Sequence, residues 1–121
     1  MAKKVQAAKK EAPLRGEPRT DFVEPRAFMR DLSAMMEDDA ILTADVGQNQ
    51  IWAANNFNTK EGRFLTSGGM GTMGYALPAA IGAKLAKPKR QVVAVCGDGS
   101  FQMSMCELAT ANQNQVPLKL V

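Results

Sequence analysis

The residues Gly97-Asp98-Gly99-Ser100 have the clearest potential for chemistry in this sequence. They follow Val92-Val93-Ala94-Val95, a run of small and β-branched apolar residues that predicts a short strand buried on both faces. A carboxylate that directly follows such a strand lies at the edge where α/β sheets bind ligands. Asp98 could hold a hard cation such as Mg²⁺, and the neighbouring backbone amides could hold a phosphate. A plain glycine turn around Asp98 is the alternative interpretation.

A second glycine cluster precedes this segment. Gly69-x-Gly71-x-x-Gly74 has the spacing of the dinucleotide-binding fingerprint, follows a candidate strand and opens a candidate helix. Asp98 lies 24 residues beyond Gly74, near the place of a ribose-binding acid. Pro78 fits the following helix only in its first turn. A nucleotide-binding domain is therefore one hypothesis, whereas a Walker-type loop is excluded because Gly-Lys-Ser/Thr does not occur.

Composition limits the other function classes. The 121 residues are 45% hydrophobic, which is enough for one domain with a core, and no apolar run is long enough to span a bilayer. The sequence has no histidine, so Ser-His-Asp and Cys-His catalysis and the usual zinc sites are excluded within it. Cys96 and Cys106 fall in a predicted strand and helix, which favours a reduced, cytoplasmic protein over a disulfide framework. No secretory signal is expected.

The net charge of +3 comes from the amino-terminal segment. Residues 1–20 contain six basic and two acidic residues, which leaves nine basic and ten acidic residues for the rest. We therefore predict a disordered basic tail or linker over residues 1–22 and a folded domain over 23–121. Basic residues confined to a tail are weak evidence for nucleic-acid binding, so neither a nucleic acid nor a membrane is expected as a partner.

The periodicity predicts alternating helices and strands, and thus an α/β fold with a parallel sheet and helices on both faces. In chain order these are a helix over 25–37, a strand over 40–44, a helix near 51–56, a strand over 63–66, a helix over 75–85, the strand over 92–95, a helix to about 114 and a strand over 116–121. Ser104 and Glu107 have the spacing of a capping box before Leu108. The last strand is expected to be central and buried, so we interpret the sequence as a piece of a larger enzyme, truncated at its carboxyl end.

Three separated segments resemble one known family. Asp45-Val46-Gly47-Gln48-Asn49-Gln50, the residues from Thr66 to Gly82, and Gly97-Asp98-Gly99-Ser100-Phe101-Gln102-Met103 occur in the order found in the carboxyl-terminal cofactor domain of thiamine-diphosphate enzymes. The resemblance is greatest to the catalytic subunit of acetolactate synthases and covers residues 21–121.

This resemblance implies specific roles. Asp98 is the expected magnesium ligand, and Met73 is expected to lie beneath the cofactor and hold it in a bent shape, with packing in a core as the alternative. Gly71 is expected to accept a hydrogen bond from the cofactor's amine through its carbonyl. Asn49 stands where family members often carry His, and its amide can still donate. The full set of expected cofactor-binding residues is Gly47, Gln48, Asn49, Gly71, Met73, Gly97, Gly99 and Ser100.

The implied reaction is decarboxylation of pyruvate and transfer of its two-carbon unit to a second 2-ketoacid, in branched-chain amino acid synthesis. No catalytic residue is expected in this segment. The second metal ligand is expected just past Val121, and an activating glutamate in an amino-terminal domain of a partner subunit, as in a homodimer or larger assembly. FAD is possible in the full-length enzyme but not in this segment. A sister enzyme (a pyruvate oxidase, decarboxylase or other carboligase) and the non-catalytic nucleotide-binding domain are the alternatives.

Overall fold

A computed structural model describes residues 21–121, so the prediction of a disordered tail falls almost entirely on residues outside the described part. The elements in chain order are α1 (Pro25–Met35), β1 (Ile41–Ala44), α2 (Gln48–Asn56), β2 (Arg63–Thr66), α3 (Ala76–Ala86), β3 (Val92–Val95), α4 (Asp98–Ser104), α5 (Glu107–Gln113) and β4 (Lys119–Leu120). No helix within residues 21–121 has both the length and the apolar character needed to cross a membrane.

The four strands form one parallel sheet in the order β2-β1-β3-β4. β1 and β3 are the inner pair, in a register that places Ala44 opposite Val95. All four residues of each inner strand are buried. The predicted α/β class, the parallel sheet and the two-sided burial of β3 are therefore confirmed.

Alternate residues of the inner strands face two separate apolar layers. Leu42 and Val93 lie in a cluster that α1 and α2 complete with residues such as Met29 and Ala53. Ile41 and Val92 lie in the other cluster, with Ala76 and Ala80 of α3. Because side chains alternate along a strand, each layer is built from every second residue. Helices consequently cover both faces of the sheet, as predicted.

Pro25 and Pro78 lie in the first turns of helices, where no backbone donor is needed. Pro25 lies in the first turn of α1, and the Glu24 carboxylate accepts from the Ala27 amide at 2.7 Å. Pro78 is the third residue of α3 and lies in its first turn, where the missing amide hydrogen of proline costs no helical hydrogen bond. Most predicted helix and strand boundaries hold within one or two residues.

The predicted capping box is wrong, and so is the single helix to residue 114. The chain forms two helices, α4 and α5, and Cys106 is the residue that caps α5, without a side-chain bond. Glu107 accepts from the Thr110 hydroxyl at 2.9 Å. Ser104 ends α4 with a buried hydroxyl oxygen that has no hydrogen-bond partner among the described residues. Ser104 therefore does not cap α5, because its buried hydroxyl bonds no described amide of that helix.

The last strand is shorter than predicted. β4 has only two residues, both exposed, and it pairs in parallel with β3. Val116, expected at the start of that strand, instead packs against Leu77, Ile81 and Ala111. Its amide donates to the Ala111 carbonyl at 2.8 Å, so the residue ends the α5 segment and is not available to the sheet.

Candidate functional site

The carboxyl ends of β1 and β3 place two of the three motifs side by side. Ala44 and Val95 are paired in the sheet, and the Asp45 amide extends the pairing by donating to the Val95 carbonyl at 2.8 Å. The segment after β1 therefore starts beside the Gly97-Asp98-Gly99 segment after β3. This edge is the one at which α/β sheets bind ligands.

The buried carboxylate of Asp45 connects the first motif to the glycine-rich loop. Asp45 has 0% of its surface exposed. Its Oδ1 accepts from the Val46 amide at 2.9 Å and from the Gly74 amide at 3.0 Å, and its Oδ2 accepts from the Ala76 amide at 3.0 Å. Asp45 thus fixes both the end of the loop and the first residue of α3. The sequence pattern does not single out this role, although a carboxylate directly after a buried strand was the available signal.

The Asn49 side chain connects the first motif to the third. Its Nδ2 donates to the carbonyl of Asp45 at 3.0 Å and to that of Val95 at 3.3 Å, so both amide hydrogens are engaged within the protein. Its Oδ1 lies 3.5 Å from the position that a Cβ would take on Gly97, and 2.4 Å from that position on Gly47. Gly47 also has a φ of +147°, which is rare for residues with a side chain. Glycine is required there because any side chain would collide with Asn49.

The glycine-rich loop meets α4 at Gly74. This residue has a φ of +79°, and a Cβ on it would lie 3.2 Å from the Met103 Cβ. Upstream, the Gly71 amide donates to the Ser67 carbonyl at 3.1 Å and the Thr72 amide to the Ser67 hydroxyl at 3.0 Å. The loop is therefore ordered by its own bonds and by its contact with α4.

Met73 lies at the surface of the described chain, against the Gly-Asp-Gly segment. It is 41% exposed, and its Cε is 3.7 Å from the position of a Cβ on Gly99. It belongs to none of the apolar clusters of the described residues. This position does not fit the alternative in which Met73 fills a core.

The Gly97-Asp98-Gly99-Ser100 segment combines one free carboxylate with one engaged hydroxyl. Asp98, the first residue of α4, is exposed, and its carboxylate has no hydrogen bond or ion pair within residues 21–121. Gly99 is exposed beside it. Ser100 is only 1% exposed, and its hydroxyl donates to the Gly97 carbonyl at 3.2 Å. The backbone amide of Ser100 could donate to a ligand, and its hydroxyl proton could do so by turning away from the Gly97 carbonyl.

Gln48 and Gly71, the remaining expected contacts, are exposed at the start of α2 and in the glycine-rich loop. Cys96 lies between the motifs, and burial, followed by the negative charge of Asp45, raises its pKa from 9.0 to about 11. No group of three or more His, Cys, Asp or Glu that could hold a metal occurs in the described part of the chain. A metal ion at Asp98 would therefore need oxygen ligands of other kinds.

The strand order rules out the dinucleotide fingerprint. In the dinucleotide-binding fold, the fingerprint loop and its helix join two neighbouring parallel strands. Here the loop follows β2, and α3 leads to β3, but both strands pair with β1 and not with each other. Gly74, the third glycine of the fingerprint, packs against α4 instead of closing a helix onto its own strand. The spacing match is therefore coincidental.

A parallel sheet that gathers these three motifs at one edge is the arrangement of a thiamine-diphosphate-binding domain. Residues 45–121 match the family described as "Thiamine pyrophosphate enzyme, C-terminal TPP binding domain" (thiamine pyrophosphate is another name for thiamine diphosphate), and the chain belongs to this family. The resemblance of the three motifs is confirmed by this match.

Among individual proteins, the chain is similar to large subunits of acetolactate synthase. It is 43% identical over 120 residues to that of Lactococcus lactis (98% of this chain, 21% of the relative). It is 46% identical over 112 residues to a probable one of Methanocaldococcus jannaschii (84% and 19%) and 50% identical over 91 residues to that of Escherichia coli isozyme 1 (74% and 16%). The chain thus spans about one fifth of the length of these curated relatives.

Proposed function

We propose that this chain binds the diphosphate of thiamine diphosphate and its Mg²⁺ as part of an acetolactate synthase. The observation that carries the proposal is the meeting of three separated motifs at one edge of the sheet. The Asn49 amide donates to the Val95 carbonyl at the end of β3, Met73 lies beside Gly99, and the Asp45 carboxylate accepts from the Gly74 amide. Family membership and similarity to acetolactate synthase large subunits support the same assignment.

The residues present fit a magnesium-bound diphosphate. Asp98 offers an exposed carboxylate without a protein partner in residues 21–121, and Mg²⁺ prefers oxygen ligands. The exposed backbone of Gly99 and the amide of Ser100 would donate to phosphate oxygens, with Gly47 and Gln48 on the other side. Asn49 would act mainly by fixing the two loops, because its amide hydrogens already bind Asp45 and Val95.

Met73 and Gly71 would hold the rest of the cofactor. Met73 presents an apolar side chain at the surface beside Gly99, where it would support the cofactor in a bent shape. When bound, thiamine diphosphate supplies the electron sink for decarboxylation of a 2-ketoacid. Transfer of the two-carbon unit to a second 2-ketoacid, a homodimeric or larger assembly, FAD elsewhere in the full-length enzyme and a cytoplasmic location belong to the same proposal.

We also assign α1 to this domain, which would then extend over residues 23–121. The family match begins at residue 45, but Met29 of α1 shares one apolar cluster with Leu42, Val93 and Ala53. Removing α1 would expose that face of the sheet to water.

The magnesium role is tested with Asp98→Ala in the full-length enzyme. We expect the affinity for thiamine diphosphate, titrated with excess magnesium, to fall by ~2–5 kcal/mol, because the truncation leaves a desolvated cation without its partner. Asp38→Ala is the matched control, since Asp38 is an exposed carboxylate that precedes β1 at the opposite edge of the sheet. If the Asp98→Ala and Asp38→Ala enzymes have the same affinity for thiamine diphosphate, Asp98 is a turn residue and not a magnesium ligand.

The role of Met73 is tested with Met73→Ala and Met73→Leu in the same enzyme. We expect both variants to keep the unfolding free energy of the cofactor-free form within ~0.5 kcal/mol, because the side chain is exposed there. Met73→Ala should slow deuterium exchange at the thiazolium carbon of the bound cofactor, and Met73→Leu should largely preserve it. If Met73→Ala lowers the stability strongly but leaves deuterium exchange at the thiazolium carbon normal, Met73 packs the domain and does not support the cofactor.

A further inference from the structure

A cavity of about 370 Å³ lies at the edge of the sheet opposite the cofactor site, beside the carboxyl-terminal half of α3 and the amino ends of β3 and β4. Its lining includes four cationic residues, Lys84, Lys89, Arg90 and Lys119, together with Gln91 and Leu118. These cations come from three different segments, so they surround the cavity and do not form a stripe along one helix. No acidic residue among positions 21–121 lines it.

Protein partners neutralise this charge only in part. Arg90 pairs with Asp39, whose carboxylate lies 3.1 Å from the guanidinium Nε. The Lys84 ammonium donates to the Arg90 carbonyl at 2.7 Å, which holds the ammonium at the cavity without cancelling its charge. Lys89 and Lys119 are exposed and have no ion pair in the described part of the chain. Like charges around one depression repel one another, and a bound anion would relieve that repulsion.

We propose that this cavity binds a small molecule through a chain of two or three phosphate groups. A volume of about 370 Å³ is within the range of small-molecule sites. Lysine ammonium groups bind phosphate as point charges, which suits ligands of high charge density more than a single carboxylate. The Gln91 side chain, whose Oε1 accepts from the Glu37 amide at 3.0 Å, keeps its amide hydrogens for a phosphate oxygen.

The site is distinct from the proposed cofactor site. Lys89 and Lys119 lie at the amino ends of β3 and β4, whereas Asp98 follows the carboxyl end of β3. The four residues of β3 separate the two sites by ~13 Å or more. A phosphate ligand here would therefore bind together with thiamine diphosphate, and the two would not compete.

The test uses the full-length enzyme saturated with thiamine diphosphate and excess magnesium, and inorganic triphosphate as the probe in isothermal titration. The test variant is the double substitution Lys89→Gln/Lys119→Gln, since both side chains are exposed and neither substitution disturbs a bond in the described chain. The control, Lys60→Gln/Lys87→Gln, removes the same charge from exposed residues that do not line the cavity; the surface ion pair of Lys60 with Asp38 that it breaks contributes little to stability. A nucleoside triphosphate titrated in parallel shows whether anything beyond the phosphates is bound.

We expect triphosphate to bind the wild type and the control equally, and the test variant about tenfold more weakly. Asp98→Ala should leave this binding unchanged while it weakens thiamine diphosphate, which separates failure of this proposal from failure of the proposed function. Absence of triphosphate binding to the wild type would overturn the proposal. Equal binding by the test and control variants would do so too, as would loss of binding in Asp98→Ala.

Discussion

Replacing Asp45 with Asn would test whether one buried carboxylate holds the glycine-rich loop at the site. In the wild type, its two oxygens accept from the amides of Val46, Gly74 and Ala76 at 2.9–3.0 Å. An Asn that keeps its oxygen toward Val46 and Gly74 must point its NH₂ group at the Ala76 amide. Ala76 is fully buried, so its amide would lose its acceptor without gaining water.

The magnitude follows from these contacts. An unpaired buried amide costs ~1–3 kcal/mol, and the two remaining bonds lose the strengthening that a charged acceptor gives, worth roughly 1 kcal/mol together. We therefore expect Asp45→Asn to lower the local opening free energy of the loop and of the start of α3 by ~2–4 kcal/mol. This is a large share of the ~5–15 kcal/mol that stabilises a typical domain.

Amide hydrogen exchange followed by mass spectrometry measures this opening in the intact protein, in peptides that cover residues 71–77. Asp39→Asn is the control, because Asp39 is a partly exposed carboxylate paired with Arg90 and its loss should cost less than ~1 kcal/mol. If Asp45→Asn leaves exchange at residues 71–77 as slow as in the control, the carboxylate does not order the loop and the argument fails.

Four further substitutions test local features of the fold. Gly74→Ala should lower the stability by ~1–2 kcal/mol, because φ is +79°, whereas Gly82→Ala, in α3 with open space at its Cβ, should raise it by ~0.5–1 kcal/mol; equal melting shifts would contradict this. Ser104→Ala should leave the melting temperature unchanged or raise it, since it removes an unpaired buried hydroxyl. A loss of ~0.5–2 kcal/mol would indicate a cap after all. Cys96, with a pKa raised to about 11, stays protonated in the fold while the unfolded thiol ionises near 9.0, so stability should fall between these pH values. Urea unfolding of Cys96→Ala should lack that component.

Local patterns were sufficient to predict most elements of this fold. The apolar run before Gly97 predicted a strand buried on both faces because every residue of β3 packs against one of the two helical layers. Pro25 and Pro78 marked helix starts because, within a helix, a proline is free of penalty only in the first turn. These features depend on neighbours within a few positions in the sequence, which is why they could be predicted without the tertiary structure.

The failures occurred where a distant contact decided the outcome. Ser104 has the residue type and spacing of a cap, but it is buried in α4 where the distant Gly74 packs against that helix. Val116 has the residue type of a strand, but Leu77 and Ile81 of α3 bury it at the end of α5. Asp45 could be predicted as a residue at the carboxyl edge of the sheet, but not as the acceptor for Gly74 and Ala76.

The choice between the dinucleotide and thiamine-diphosphate interpretations depended on strand order, which no local pattern encodes. The glycine spacing 69-71-74 is compatible with both. What separates them is that β1 lies between β2 and β3, so that the loop after β2 must cross the end of β1 to reach α3. Asp45 stands at that crossing, with its amide bonded to Val95 and its carboxylate to Gly74 and Ala76. The same residue that completes the inner strand pair therefore also directs the loop to the edge where Asp98 lies, and this joins the topology of the sheet to the position of the site.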